Sequence, residues 1–222
     1  MTIALICAMP MELKPLVKKL GLTKDGPRRV GDGVVAIYTG MGTELATKST
    51  EALFNSVPDI ERVIVFGITG AVDDETEIGQ LIIPEKVVHS ETGAEYSPAP
   101  HPDAKGVMWT TNVITPAHEL PPLIARGVVS LDMETAAIAH CCEERGVPWS
   151  VYRTISDRAT DGSITEEVFK LANQDGSPNF KRVAVFFAKH PQKVPAMIKL
   201  AKGGKLATER AADAAIAAVR AT

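Results

Sequence analysis

Arg62-Val63-Ile64-Val65-Phe66-Gly67-Ile68-Thr69-Gly70 is the stretch on which the fold turns. Its first half is short and almost continuously apolar, with no polar alternation. That pattern belongs to a strand buried on both faces, as in a mostly parallel sheet covered by helices on each side. The glycines that follow predict a stop and a loop at the strand's carboxyl end. On the amino-terminal side, residues 3–8 read as another strand, followed by Pro10 in a first helical turn and by Leu13, Leu16, Val17 and Leu20 at helical spacing. Pro15 predicts a kink there or a later start. Gly31-Asp32-Gly33 predicts a hairpin between Val30 and the run Val34-Val35-Ala36-Ile37-Tyr38, which ends at Thr39-Gly40-Met41-Gly42 ahead of a helix over 44–54.

On the carboxyl-terminal side, residues 81–84 and 86–88 read as extended, and 91–106, rich in Pro, Gly and polar residues, as a mobile loop. A weak strand over 106–111 and a short helix over 116–125 come next. Residues 128–131 form a strand that feeds a helix over 134–145, capped by Gly146. A last strand over 147–155 is closed by Ser156-Asp157. Helices follow over 165–172 and 180–189, and Pro191 and Gly203-Gly204 divide the tail into two more, the last over 208–221. Strands alternating with helices, with no repeat or linker, predict one layered α/β domain over residues 1–222 around a mostly parallel sheet.

The chain has 222 residues, 24 Lys+Arg against 27 Asp+Glu, and a formal charge of −3. No basic surplus marks a nucleic-acid footprint, so the expected partner is a small molecule. No apolar stretch approaches the roughly 20 residues of a membrane helix. Cys7, Cys141 and Cys142 are an odd number without metal-ligand spacing, which fits reduced thiols and a cytoplasmic protein.

Gly40-Met41-Gly42 lacks the third glycine of a dinucleotide loop, and Gly204-Lys205-Leu206 lacks the hydroxyl residue of a P-loop. The histidines form no metal-binding pair, so no metal or organic cofactor is expected. His140 and Cys141, adjacent on one helix, diverge by about 100° and make a poor catalytic dyad. What remains is a set of acids at the carboxyl ends of predicted strands, where open α/β sheets gather their ligands: Glu12, Glu134 and Asp157. Each also has a purely structural use, since Glu12 and Glu134 would favour a helix dipole and Asp157 would cap a turn.

At these residues the chain resembles the nucleoside phosphorylases and nucleosidases, and among them the methylthioadenosine/S-adenosylhomocysteine nucleosidase branch. The likeness rests on Ala8-Met9-Pro10-Met11-Glu12, Thr39-Gly40-Met41-Gly42, Gly67-Ile68-Thr69-Gly70 with Gly79-Gln80-Leu81-Ile82-Ile83-Pro84, and Asp132-Met133-Glu134 with Arg153-Thr154-Ile155-Ser156-Asp157. It implies a three-layer α/β/α sandwich around a mixed, mostly parallel sheet, and a homodimer. It also implies that Asp157 protonates or hydrogen-bonds the purine N7 with Ser156 assisting, and that Glu134 holds the ribose hydroxyls. Met133 would pack on sugar and base, Glu12 would activate water, and Arg153 would stand behind the carboxylates. Met41, Thr69 and Gly70 join as further substrate contacts. Asp132 stands where the family has Glu, and Thr110-Thr111-Asn112-Val113-Ile114 where it has its base-binding loop.

The chemistry asks for these residue types on its own account. Breaking C1′–N9 leaves positive charge on the sugar and negative charge on the base, so an acid on one side and a carboxylate with water on the other divide the work. Phosphorylases of the family hold phosphate with arginines in the first loop and before the central glycine turn. Here Met9-Pro10-Met11-Glu12 and Val65-Phe66 occupy those places. A carboxylate at Glu12 would repel phosphate, which favours water and hence a purine nucleosidase acting on an adenosine derivative. A phosphorolytic enzyme and a non-catalytic nucleoside-binding protein on the same scaffold are the alternatives.

Overall fold

The computed structural model describes residues 2–162 and 164–221. The chain opens with β1 (Thr2–Cys7), α1 (Pro10–Leu20), β2 (Thr23–Asp25), β3 (Arg28–Gly31), β4 (Val34–Tyr38) and α2 (Thr43–Ser56). The centre holds β5 (Ile60–Ala71), β6 (Leu81–Ile82), β7 (Lys86–His89), β8 (Glu95–Tyr96), β9 (Val107–Thr110) and α3 (Leu120–Ala125). Then come β10 (Val128–Asp132), α4 (Thr135–Glu144), β11 (Trp149–Arg158), α5 (Glu166–Phe169), α6 (Phe180–Lys189) and α7 (Val194–Arg220).

The strands form one mixed sheet in the order β2-β3-β4-β1-β5-β10-β9-β7-β8, with β11 paired to β5 and β6. The middle is parallel, through β4, β1, β5 and β11, and so is the β10, β9, β7 group. Antiparallel pairs lie at the edges and where β10 meets β5. Side chains alternate across the sheet and both faces are buried. Ile3, Leu5 and Cys7 join the cluster built with α1 and α7, whereas Ala4 and Ile6 join the one built with α2 and α4. The expected three layers follow from that double burial.

Several boundaries differ from the expectations. The helix α1 begins at Pro10 and runs through Pro15. Pro15 forfeits only the single bond to the carbonyl of Met11. The glycine run after Phe66 is strand, not loop, and β11 likewise continues through Ser156 and Asp157. The segment 91–106 is tied down: β8 pairs with β7, and the amide of Ala99 donates to the carbonyl of Trp149. The helix expected over 165–172 is shortened to α5. Gly203-Gly204 does not divide the tail, because α7 is continuous. A Cβ on Gly203 would lie 2.6 Å from the carbonyl oxygen of Ser156, so the glycine lets α7 press against β11.

Along β5 one edge changes partner. Val65 still pairs with Ile6 of β1, but Gly70 pairs with Leu131 of β10. The sheet is split open between those two registers, and the wedge holds the candidate site.

Candidate active site

The carboxyl ends of β1, β4, β5, β10 and β11 face a cavity of about 230 Å³. Each strand delivers a side chain just as its ladder ends, which is why residues distant in sequence meet here. Glu12, in the first turn of α1, is completely buried. Its Oε2 accepts the amides of Ala8 at 2.9 Å and Met9 at 2.7 Å, and its Oε1 accepts the amide of Ile68 at 2.7 Å. The last of these bonds fills the wedge, since Ile68 lies beyond the reach of β1. Gly67 makes room for it: with φ at +139°, a Cβ there would sit 2.3 Å from Glu12 Oε1. Three amides occupy three of the carboxylate's roughly four acceptor positions, leaving one on Oε1. Burial pushes the Glu12 carboxyl above its ordinary value, against the pull of Arg153 and the amides.

Arg153, on β11, is buried behind the acids. Its guanidinium donates to Asp132 at 2.7 Å, to Glu134 at 3.4 Å, to the Thr135 hydroxyl at 3.0 Å and to the carbonyl of Ile68 at 3.0 Å, and lies 3.9 Å from Glu12. Asp132 is the anchor of this group: Thr110, Thr135 and Arg153 all donate to it. Glu134 caps the β10–α4 junction, and its Oε1 accepts the amide of Gly42 at 3.0 Å. Burial, with the charges of Asp132 and Glu12 adding to it, raises Glu134 to about 7 in spite of Arg153.

Asp157 faces the cavity from β11, beside Gly70 of β5. Its Oδ1 accepts the hydroxyl of Ser156. Burial raises its carboxyl above the ordinary aspartate value, outweighing the Ser156 bond, and Asp161 adds to the rise. The Thr69 hydroxyl donates to the carbonyl of Leu131 at 2.7 Å, bracing β5 on β10. Met41 and Met133 supply apolar surface on the lining.

Every residue singled out in the sequence as catalytic or substrate-binding thus lines this one cavity. Others were not singled out. Met9, Thr111, Val113 and Ile114 lie in motifs already quoted, but nothing in the sequence marked Phe169, which reaches the cavity from α5. Asn112, in the segment expected to bind the base, instead bonds Thr43 and Glu91. His140 lies toward Glu144 at 3.5 Å while Cys141 is buried, so no dyad forms. Among the described residues no group of acids, histidines or cysteines is arranged to hold a metal, and no helix is long and apolar enough to cross a membrane.

The split sheet and its cluster of buried acids define an α/β/α protein of the nucleoside phosphorylase type. The chain belongs to the phosphorylase superfamily, whose family model matches residues 2–123 and 105–189. Among curated proteins, the 5′-methylthioadenosine/S-adenosylhomocysteine nucleosidase of Shewanella halifaxensis is 27% identical over 206 residues, covering 73% of this chain and 89% of its own. That of Tolumonas auensis is 28% identical over 186 residues, covering 66% and 79%. Among solved structures, the Helicobacter pylori 5′-methylthioadenosine/S-adenosyl homocysteine nucleosidase superposes with a TM-score of 0.73 at 15% identity, over 100% of this chain and 98% of that one. The futalosine hydrolase of the same organism gives 0.73 at 14%, over 100% and 98%. These structural likenesses speak for the fold.

Proposed function

We propose that this chain is a cytoplasmic purine nucleosidase that hydrolyses the N-glycosidic bond of an adenosine derivative such as methylthioadenosine or S-adenosylhomocysteine, the substrates for which its curated relatives are named. One observation carries the choice of water over phosphate. Among the described residues Arg153 is the only cationic one on the cavity lining, and three carboxyls already claim it. Among the described residues phosphate would meet no free cation, but the three buried acids Glu12, Asp132 and Glu134.

In this reading Asp157 gives its proton to the purine N7 as the C1′–N9 electron pair passes to the base, which departs neutral. Glu134 accepts the ribose hydroxyls. A water on the remaining acceptor position of Glu12 Oε1 attacks C1′, and its proton passes to Glu12. Each positioned proton transfer contributes about 10²–10⁴-fold in rate. The apolar side chains of Met9, Met41, Val113, Ile114 and Phe169 suit a purine ring and an uncharged 5′ substituent. Val113 leaves 67% of its surface to solvent at the cavity wall, an apolar edge that a second copy in a homodimer would cover.

The test is to incubate the purified protein with methylthioadenosine, S-adenosylhomocysteine, futalosine, adenosine and inosine, with and without phosphate, and to follow free base. Release that does not depend on phosphate is expected. Phosphate-dependent release would make the chain a phosphorylase, and binding without release would make it a nucleoside-binding protein.

A further inference from the structure

A second cavity, of about 560 Å³, lies between α7 and the segment that follows β11. Ser156 and Asp157 form part of its lining as well as of the first cavity's, so the two adjoin at the carboxyl end of β11. Ile78, Val168, Met197 and Leu200 give it apolar surface. Its charged lining is mainly cationic: Arg158, Lys193, Lys199 and Lys202 line it, against the two acids Asp157 and Asp161. Two of these cations are engaged. Lys193 pairs with Glu167 at 2.8 Å, and Arg158 Nε donates to the carbonyl of Thr76 at 3.0 Å. Lys199 and Lys202, three residues apart and therefore on one side of α7, make no ion pair among the described residues.

We infer that this second cavity binds a small organic phosphate with an apolar body, the body lying against these apolar side chains and the phosphate meeting Lys199 and Lys202. Two unpaired lysines match the charge of about −1.5 to −2 that a phosphomonoester carries at neutral pH. A cavity with apolar lining and a few polar groups is the usual shape of a small-molecule site. The nucleoside is not its occupant, because the reacting acids Glu12 and Glu134 line only the first cavity.

Octyl phosphate serves as the probe, titrated calorimetrically into the full chain beside inorganic phosphate and octanol. Octyl phosphate is expected to bind at least tenfold more tightly than either half alone. Charge reversal at two exposed positions, Lys199→Glu with Lys202→Glu, should weaken it at least tenfold, and so should Ala196→Trp, which fills the cavity from an exposed site on α7. Saturating adenine should leave the affinity unchanged. Unaltered binding in the charge-reversed variant, equal affinity for octanol, or displacement by adenine would each overturn the assignment. The charge-reversal and filling variants involve no nucleoside, so their outcome is independent of whether the chain turns one over.

Discussion

Arg153 brings one positive charge to three carboxyls, Asp132 at 2.7 Å, Glu134 at 3.4 Å and Glu12 at 3.9 Å. Full ionisation would leave the buried group at a net charge of −2, and burial opposes it by raising both Glu12 and Glu134. Glu134 must be ionised to accept both ribose hydroxyls, so kcat/KM should rise as pH climbs through about 7, and Glu134→Gln should remove that limb from the pH profile. The same shift acts on stability. Below the ordinary value of 4.5, folded and unfolded chains both keep the proton; between 4.5 and about 7 only the unfolded chain releases it, so Glu134 lowers stability progressively as pH rises across that window. Chemical unfolding at a series of pH values should therefore show Glu134→Gln gaining on the wild type from 4.5 to about 7 and no further. Asp157→Asn should lower kcat by about 10²–10⁴-fold with an unchanged circular dichroism spectrum, and an unchanged kcat would remove Asp157 as the acid.

Glycines decide how the elements meet. Gly203 and Gly204 are neighbours in α7 with opposite demands. A Cβ on Gly203 would lie 2.6 Å from the Ser156 carbonyl, whereas on Gly204 it would make only an ordinary 3.7 Å contact with Met11. Gly203→Ala should therefore destabilise by about 1–3 kcal/mol through overpacking, while Gly204→Ala should stabilise by up to about 1 kcal/mol through helix propensity. Thermal unfolding of the two variants checks the contrast. In the sequence the pair reads as a helix break, and Gly67 reads as the end of a strand, because a glycine's local preference is visible there while the surface pressed against it is not. The apolar runs of β1, β4, β5 and β11 were legible, since burial on both faces leaves no polar alternation to misread. Phe169 was not, because a four-residue helix carries too little pattern to show which way its side chains turn.

For the molecule as a whole, the cavity joins five strand ends, so a ligand there binds only the assembled sheet. Adenine at about 100 times its dissociation constant should add about 2.7 kcal/mol and raise Tm by roughly 5–10 °C; no shift at that concentration would argue against a base site. The acids of the site were legible one by one as residues at strand ends. Arg153 was expected behind the carboxylates from the resemblance, but the part of Asp132 in holding it beside Glu12 and Glu134 was not legible, because that contact arises only where the sheet parts along β5. That parting also bears on how the protein can change. Its rims are held by main-chain amides donating to Glu12 and Glu134 and by the Thr69 hydroxyl on a main-chain carbonyl, contacts largely indifferent to side-chain replacement elsewhere. New substrate preferences are thus open to drift in Val113, Ile114 and Phe169, which line the cavity from outside the sheet, while the bond-breaking apparatus at the strand ends stays put.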